Sequence, residues 1–282
     1  MFALLLILSS YLFSNQIDSG FTVSCRFDGF RNAVSMTTDG KGYIYVLDNE
    51  SNEIIKFNHK LEEVKRTGKK GWDDGMFDSP TYIDGSSGLD LYVCDGKNYR
   101  VQRFDLNLSF ISSLYTNNSI YDEKFRFDYP VASVVVNSND IYVIDGDNKR
   151  FVVYPSGKFP FTSFGGFKSA ESPMLEPVKI ERDGNNILYI LDKKNNCVFK
   201  YDSFGNFIHK YDLNNKIFSI SLYNKLLFIL TDSYLFIFDV EKNAYISKME
   251  NNFKFSVVDF FVNNLSNYYI LEKDKIFLIN KN

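Results

Sequence analysis

The sequence predicts an all-β chain folded as a six-bladed β-propeller of four-stranded antiparallel blades, and three observations carry that prediction. The first is a recurring hairpin. Tyr92–Asp105, YVCDGKNYRVQRFD, reads as a short β-prone strand, a polar turn and a second strand. Its outline returns from Tyr45, Tyr142 and Tyr189, and more faintly from Phe228 and Tyr268. The acid closing the first strand of each copy falls at Asp48, Asp95, Asp145, Asp192, Asp232 and Glu272, in steps of 47, 50, 47, 40 and 40 residues. Repeats of that length mark a repeat architecture. The second observation is composition: 28 Phe and 19 Tyr in 282 residues, with 45% hydrophobic content, supply a large core of residues that suit strands. The third is that no segment sustains apolar residues at helical spacing.

Taken in order, the chain opens with Phe2–Phe13, FALLLILSSYLF, an apolar run of secretory length and shorter than the ~20 residues of a membrane-spanning helix. Residues 1–14 are read as a signal peptide, although no Lys or Arg precedes Arg26, and residues 15–282 as one propeller domain. The mature chain is then periplasmic or secreted, without a transmembrane helix. Thr22-Val23-Ser24-Cys25 lies too far from the apolar run to serve as a lipidation signal.

Blade one takes Ala33–Thr38, Tyr43–Leu47, Glu53–Phe57 and Leu61–Lys65; blade two takes Thr81–Asp84, Leu91–Cys94, Arg100–Phe104 and Phe110–Leu114. Blade three takes Val131–Val136, Ile141–Ile144, Phe151–Tyr154 and Phe159–Ser163. Blade four follows with Val178–Arg182, Leu188–Leu191, Cys197–Tyr201 and Phe207–Tyr211, and blade five with Ile217–Leu222, Leu226–Leu230, Tyr234–Phe238 and Ala244–Met249. The sixth unit has only Phe255–Val262, Tyr268–Leu271 and Lys275–Ile279. Phe21–Phe27, an alternating run ahead of blade one, supplies its fourth strand and closes the ring, which leaves only short blade edges.

Asp95, Asn98, Arg100, Val101, Gln102 and Phe104, with the preceding GWDDGMFDSP of Gly71–Pro80, resemble the NHL repeat. Phe127–Pro130 repeats the end of that motif; the likeness is strong over residues 30–160 and fades after about residue 212, where the loop Asn and Arg are lost. The resemblance implies a six-bladed propeller. On the residues' own chemistry, Asp48, Asp95, Asp145 and Asp192 are structural, each accepting hydrogen bonds from the turn that follows it. Gly71, Gly75 and Gly165 are read as positive-φ loop positions, and Phe77 and Phe127 as plugs between blades.

Binding chemistry is expected on the face carrying the loops after each second strand and those entering each first strand, because loops on a rigid scaffold present functional side chains. The candidate ligand contacts are Trp72, Asp73, Asp74, Lys97, Tyr99, Arg100, Asp147, Lys149 and Lys193, with Asn49, Glu50 and Lys194 nearby. Asp95, Asn98 and Arg100 also read as internal bracing. Longer connections on the first four blades predict a lopsided surface. Trp72 is the sole tryptophan, and an aromatic among mixed charges suits an anchor role.

Catalysis has little support. Histidine-dependent zinc lyases resembling this repeat family need several channel histidines, whereas His59 falls in a turn on the opposite face and His209 in an outer strand. Lactonase-like propellers hold calcium with Asp, Glu and Asn, which abound here without a distinguishing spacing. A formal charge of −3, with basic and acidic loop residues interleaved, argues against the RNA-binding mode of some NHL propellers. Cys25, Cys94 and Cys197 cannot all pair and form no CxxC; Cys94 and Cys197 read as buried hydrophobes. The sequence therefore predicts an exported, non-catalytic, monomeric module without cofactor or metal. Its expected partner is a protein, peptide or glycan, and not nucleic acid.

Overall fold

A computed structural model describes residues 21–115, 125–137, 139–157, 160–166, 173–251, 256–264 and 267–281. The proposed signal peptide lies outside these residues. Among them, no helix is long and apolar enough to cross a membrane.

Six four-stranded antiparallel sheets form the molecule. After strand β1 (Phe21–Asp28), blade one holds β2 (Ala33–Thr38), β3 (Ile44–Asp48), β4 (Glu53–Phe57) and β5 (Glu63–Thr67). Blade two holds β6 (Pro80–Asp84), β7 (Asp90–Asp95), β8 (Arg100–Asp105) and β9 (Phe110–Tyr115). Blade three holds β10 (Pro130–Val136), β11 (Asp140–Asp145), β12 (Arg150–Tyr154) and β13 (Thr162–Gly165). Blade four holds β14 (Pro177–Arg182), β15 (Leu188–Asp192), β16 (Cys197–Tyr201) and β17 (Phe207–Asp212). Blade five holds β18 (Ile217–Tyr223), β19 (Leu226–Thr231), β20 (Tyr234–Asp239) and β21 (Ala244–Glu250). The sixth sheet runs β22 (Asp259–Asn264), β23 (Asn267–Leu271), β24 (Lys275–Lys281) and then β1, with Thr22 opposite Asn280 and Asp28 opposite Lys275. The N-terminal strand thus closes the last blade.

The first strands of successive blades touch in a closed ring, β2 to β6, β10, β14, β18, β22 and back to β2. Apolar clusters fill the spaces between sheets. Tyr45, Leu47 and Ile54 of blade one meet Ile83, Leu91, Val93 and Phe104 of blade two, and Phe77 is fully buried among them. Phe127 is equally buried and packs against Tyr154 of blade three. Each such side chain, removed from water, contributes roughly 1.5–3 kcal/mol, so the blades hold one another by area more than by any single bond.

Three boundaries shift. In blade five the residue paired across to Ile217, as Asp48 is to Ala33, is Thr231 and not Asp232. Thr231 is buried and its Oγ1 accepts the turn amides of Ser233 and Tyr234, so a hydroxyl serves where the other blades use a carboxylate. The first strand of blade six begins at Asp259, because Val258 N–H already bonds Leu271 O and Ser256 N–H bonds the Glu272 carboxylate, forming a loop ahead of it. The outer strand of blade three begins at Thr162, after a turn through Pro155–Gly157 in which Ser156 takes a positive φ.

Candidate functional site

The carboxylates that end each second strand organise the loop face. Asp48 accepts the backbone N–H groups of Arg31, Asn32, Glu50 and Ser51, and Asp192 those of Leu175, Glu176 and Asn195. Asp145 does the same for Asp128, Asp147 and Asn148. These three tie the entry loop of a blade to its central hairpin, as acceptors at turns do.

Blade two extends the scheme with side chains. Asp95 Oδ1 accepts Asp78 N–H, and Oδ2 accepts Asn98 Nδ2 at 2.9 Å, Arg100 Nε at 2.8 Å and Gln102 Nε2 at 3.2 Å. The remaining donors reach the loop that enters the blade. Asn98 Nδ2 also donates to Gly71 O, Arg100 Nη1 to Trp72 O, and Arg100 Nη2 to Asp73 O and Met76 O. Gln102 closes the set, donating to Met76 O and accepting Gly75 N–H. With these carbonyls turned inward, the Trp72 side chain is left outward and 67% exposed. Arg100 itself is 1% exposed and spends its donors on the fold, so as a direct ligand contact it is corrected. Gly75 has φ 77° and Gly165 φ 79°, as expected; Gly71, at 159°, is close to extended, and a Cβ there would sit 2.5 Å from Met76 Sδ.

The other candidates separate by position. Asp73, Asp74, Lys97, Tyr99, Asp147 and Lys193 are exposed, with Tyr99 42% exposed, and Lys149 is half-buried with its Nζ donating to Gly146 O. Tyr99 and Lys149 occupy a left-handed position, φ 52° and 55°, where blades one and four place Asn52 and Asn196. Asparagine tolerates that conformation and a bulky aromatic does not do so freely. The connections entering blades two to four run over 68–79, 116–129 and 166–176, against 213–216 for blade five and 251–258 for blade six, so the face is lopsided. Blade one, entered over 29–32, is as short as blade five and departs from the expectation of long connections on all of the first four blades.

A second feature escaped the sequence reading. The second residue of each first strand, with Val258 at the corresponding place in blade six, lines a cavity of about 300 Å³ at the loop-face mouth of the channel: Val34, Thr81, Val131, Val178, Phe218 and Val258, joined by Lys193. Below them buried Lys179 donates to Asp259 Oδ1 at 2.6 Å, to Ser219 Oγ and to Phe260 O, and lies 3.3 Å from Glu181 Oε1. Burial alone would lower the Lys179 ammonium, but Asp259 and Glu181 outweigh it and hold it above the usual lysine range. Burial pushes Glu181 up to about 7, against the pull of Lys179, and also raises Asp84. Glu181, Asp84 and Arg182 border a second cavity, about 280 Å³, at the opposite mouth.

Much of this polarity serves the ring. The first strands line the channel, and in four blades a side chain of the preceding blade caps their inner edge: Asp259 accepts Met36 N–H, Ser35 accepts Ile83 N–H, Asp84 accepts Val135 N–H and Ser221 accepts Val262 N–H. Tyr82 Oη crosses to Ile180 O. The signal was present in PTYID, PVKIER and DFFVNN, where charge interrupts apolar strands. His59 lies in the turn between β4 and β5, and His209 sits in β17 against Tyr211. Cys94 and Cys197 are buried free thiols pushed up to about 12 by burial. Among the described residues no three His, Cys, Asp or Glu side chains converge as a metal site would require.

No protein-family model matches the chain, and no curated protein sequence does. Solved structures do. A streptogramin B lyase superposes with a TM-score of 0.67 at 11% identity, over 93% of this chain and 98% of that one. Virginiamycin B lyase from Staphylococcus aureus gives 0.61 at 12% identity, over 92% and 99%. Its catalytically inactive histidine-to-alanine variant with quinupristin gives 0.59 at 15%, over 88% and 80%. At these identities the likeness is one of fold: the chain is a six-bladed β-propeller similar in architecture to the streptogramin B lyases.

Proposed function

We propose that the chain is an NHL-type, non-catalytic binding module that works outside the cytoplasm as a monomer and engages a peptide or protein partner on its loop face. The observation that carries the reading is Trp72: an exposed indole on a loop whose carbonyls are clamped by buried Asn98, Arg100 and Gln102. A ring presented on an already ordered loop binds with little further loss of entropy, which is why rigid aromatics dominate binding hot spots. Tyr99, held in a left-handed conformation that favours asparagine, supports the same reading, since strain kept at an exposed position points to use. The exposed charges of the loop face are of both signs, Asp73, Asp74, Lys97, Asp147 and Lys193, which suits a polypeptide better than a uniformly neutral glycan.

A lyase-like activity is the second reading, favoured by one observation, the carboxyl of Glu181 held near 7 beside Lys179 at a channel cavity. Against it, the neighbouring lyase is catalytically inactive when a histidine becomes alanine, and both histidines of this chain lie away from the channel. Affinity capture from the native compartment separates the readings. A partner retained by the wild type and lost by Trp72→Ala and Lys97→Ala supports the module. Retention unchanged by both, or turnover of quinupristin that Glu181→Gln abolishes, overturns it.

A further inference from the structure

The central hairpins of blades one to four can be superposed by their ladders: Asp48 pairs with Glu53, Asp95 with Arg100, Asp145 with Arg150 and Asp192 with Cys197. In blade two the last position of that pair fills the space above the carboxylate with a guanidinium. Blade three repeats this more loosely, Arg150 Nε lying 3.4 Å from Asp145 Oδ2 and Nη2 donating to Arg126 O. In blade one the guanidinium is replaced by Glu53, Asn98 by Ser51 and Gln102 by Ile55. The entry segment there is only 29–32, so no long loop covers the space.

What remains is a cavity of about 400 Å³ lined by Gly29, Asp48, Ser51, Glu53, Ile55 and the arginines 31 and 66. Its polar groups are under-used. Ser51 Oγ is buried and makes no hydrogen bond, although Asn98 at the corresponding place in blade two donates to a loop carbonyl. Asp48 and Asp95 each accept four hydrogen bonds, but three of those to Asp48 fall on Oδ1 and its Oδ2 accepts Arg31 N–H alone, whereas Asp95 Oδ2 accepts three side-chain donors. Glu53 has one partner among the described residues, Arg66 at 3.2 Å, and Arg66 is itself held in two-pronged fashion by Glu63.

We propose that this cavity receives the guanidinium of an arginine side chain from a peptide or protein partner, which takes the place that Arg100 fills within blade two. The chemistry that recognises it is two carboxylates, Asp48 and Glu53, with the Ser51 hydroxyl, an arrangement that matches a planar cation able to donate in two directions. Arg66 Nη1 already donates to Glu53 Oε2 at 3.2 Å, so the incoming guanidinium takes the other oxygen of Glu53 or displaces that contact, leaving Arg66 on its two bonds to Glu63. The inference rests on the reading of the loop face as a polypeptide site and names one residue of the partner.

The test uses Nα-acetyl-arginine amide as probe on the full chain, with Nα-acetyl-citrulline amide as its uncharged isostere, followed by NMR titration. Saturable binding of the arginine probe is expected, with the citrulline probe about tenfold or more weaker, the ratio of a charged to a neutral hydrogen-bond donor. Glu53→Arg rebuilds the blade-two pattern within the chain and should exclude the probe, while Glu53→Gln should weaken it, both at unchanged thermal unfolding. Equal affinity for the citrulline probe, undiminished binding by Glu53→Arg, no saturation, or preference for inorganic phosphate on the arginines 31 and 66 would each overturn the proposal. Trp72→Ala separates the two readings: it should abolish partner capture yet leave probe binding unchanged. A silent pocket with intact Trp72-dependent capture removes only the arginine seat.

Discussion

Blades one and two share a ladder, a turn and a capping carboxylate, yet one is filled and the other open. In blade two Arg100 is buried and neutralised by Asp95 while its other donors hold the loop of Trp72. In blade one Glu53 at the matching place is partly exposed and paired to a surface arginine. The difference teaches that the repeat fixes where a side chain sits, while the residue type placed there decides whether the position braces the fold or faces a ligand.

The largest test removes what closes the ring beside blade one. A chain starting at Phe30 loses β1 and with it the Phe27 ring that packs on Phe57 at 4.7 Å. It should lose several kcal/mol, a large share of a ~5–15 kcal/mol total, and melt non-cooperatively in calorimetry; an unchanged melt would show that blade one does not depend on closure. Next in size is the brace itself. Arg100→Met leaves Asp95 and three loop carbonyls without their cation and should cost about 3–5 kcal/mol in urea unfolding. Glu53→Met should cost under about 1 kcal/mol, and equal costs would erase the contrast between the blades.

The channel sharpens the comparison through pH. Asp95 faces one arginine, whereas Asp259 and Glu181 share Lys179. Because the folded protein raises Glu181 from its ordinary 4.5 to about 7, the native state holds that proton more tightly than the unfolded chain. Stability should therefore fall as pH rises from about 4.5 through 7, by on the order of 1–3 kcal/mol, and Glu181→Gln should flatten that slope. A Gln variant with the wild-type slope would place the titration elsewhere. Smallest of all, Trp72→Ala should change stability by no more than about 0.5 kcal/mol, as for a surface side chain that supports nothing.

Much of the fold was legible because the spacing of Asp48, Asp95, Asp145 and Asp192 reports one hydrogen-bonded junction per blade. The closing strand was legible because Phe21–Phe27 alternates. Thr231 was missed because a hydroxyl can cap a short turn as a carboxylate caps a longer one, and the neighbouring Asp232 attracts the eye. Within the site, the polarity of Trp72's surroundings was readable, and Arg100 was readable both as bracing and as a ligand contact, without a local signal to choose between them. A charged residue at the start of a strand, beside a turn, is settled as buried only once the carbonyls that turn it inward are placed. The charges of the channel and the open space in blade one depend on residues brought together from distant strands, so no local pattern announces them.

The central claim is that a buried brace holds an exposed ring still, and the fluorescence of Trp72 in the free protein tests it without any partner, since no other tryptophan contributes. The account predicts ready quenching by acrylamide together with an anisotropy decay that follows overall tumbling. An indole shielded from acrylamide, or one that reorients independently of the propeller, would contradict it.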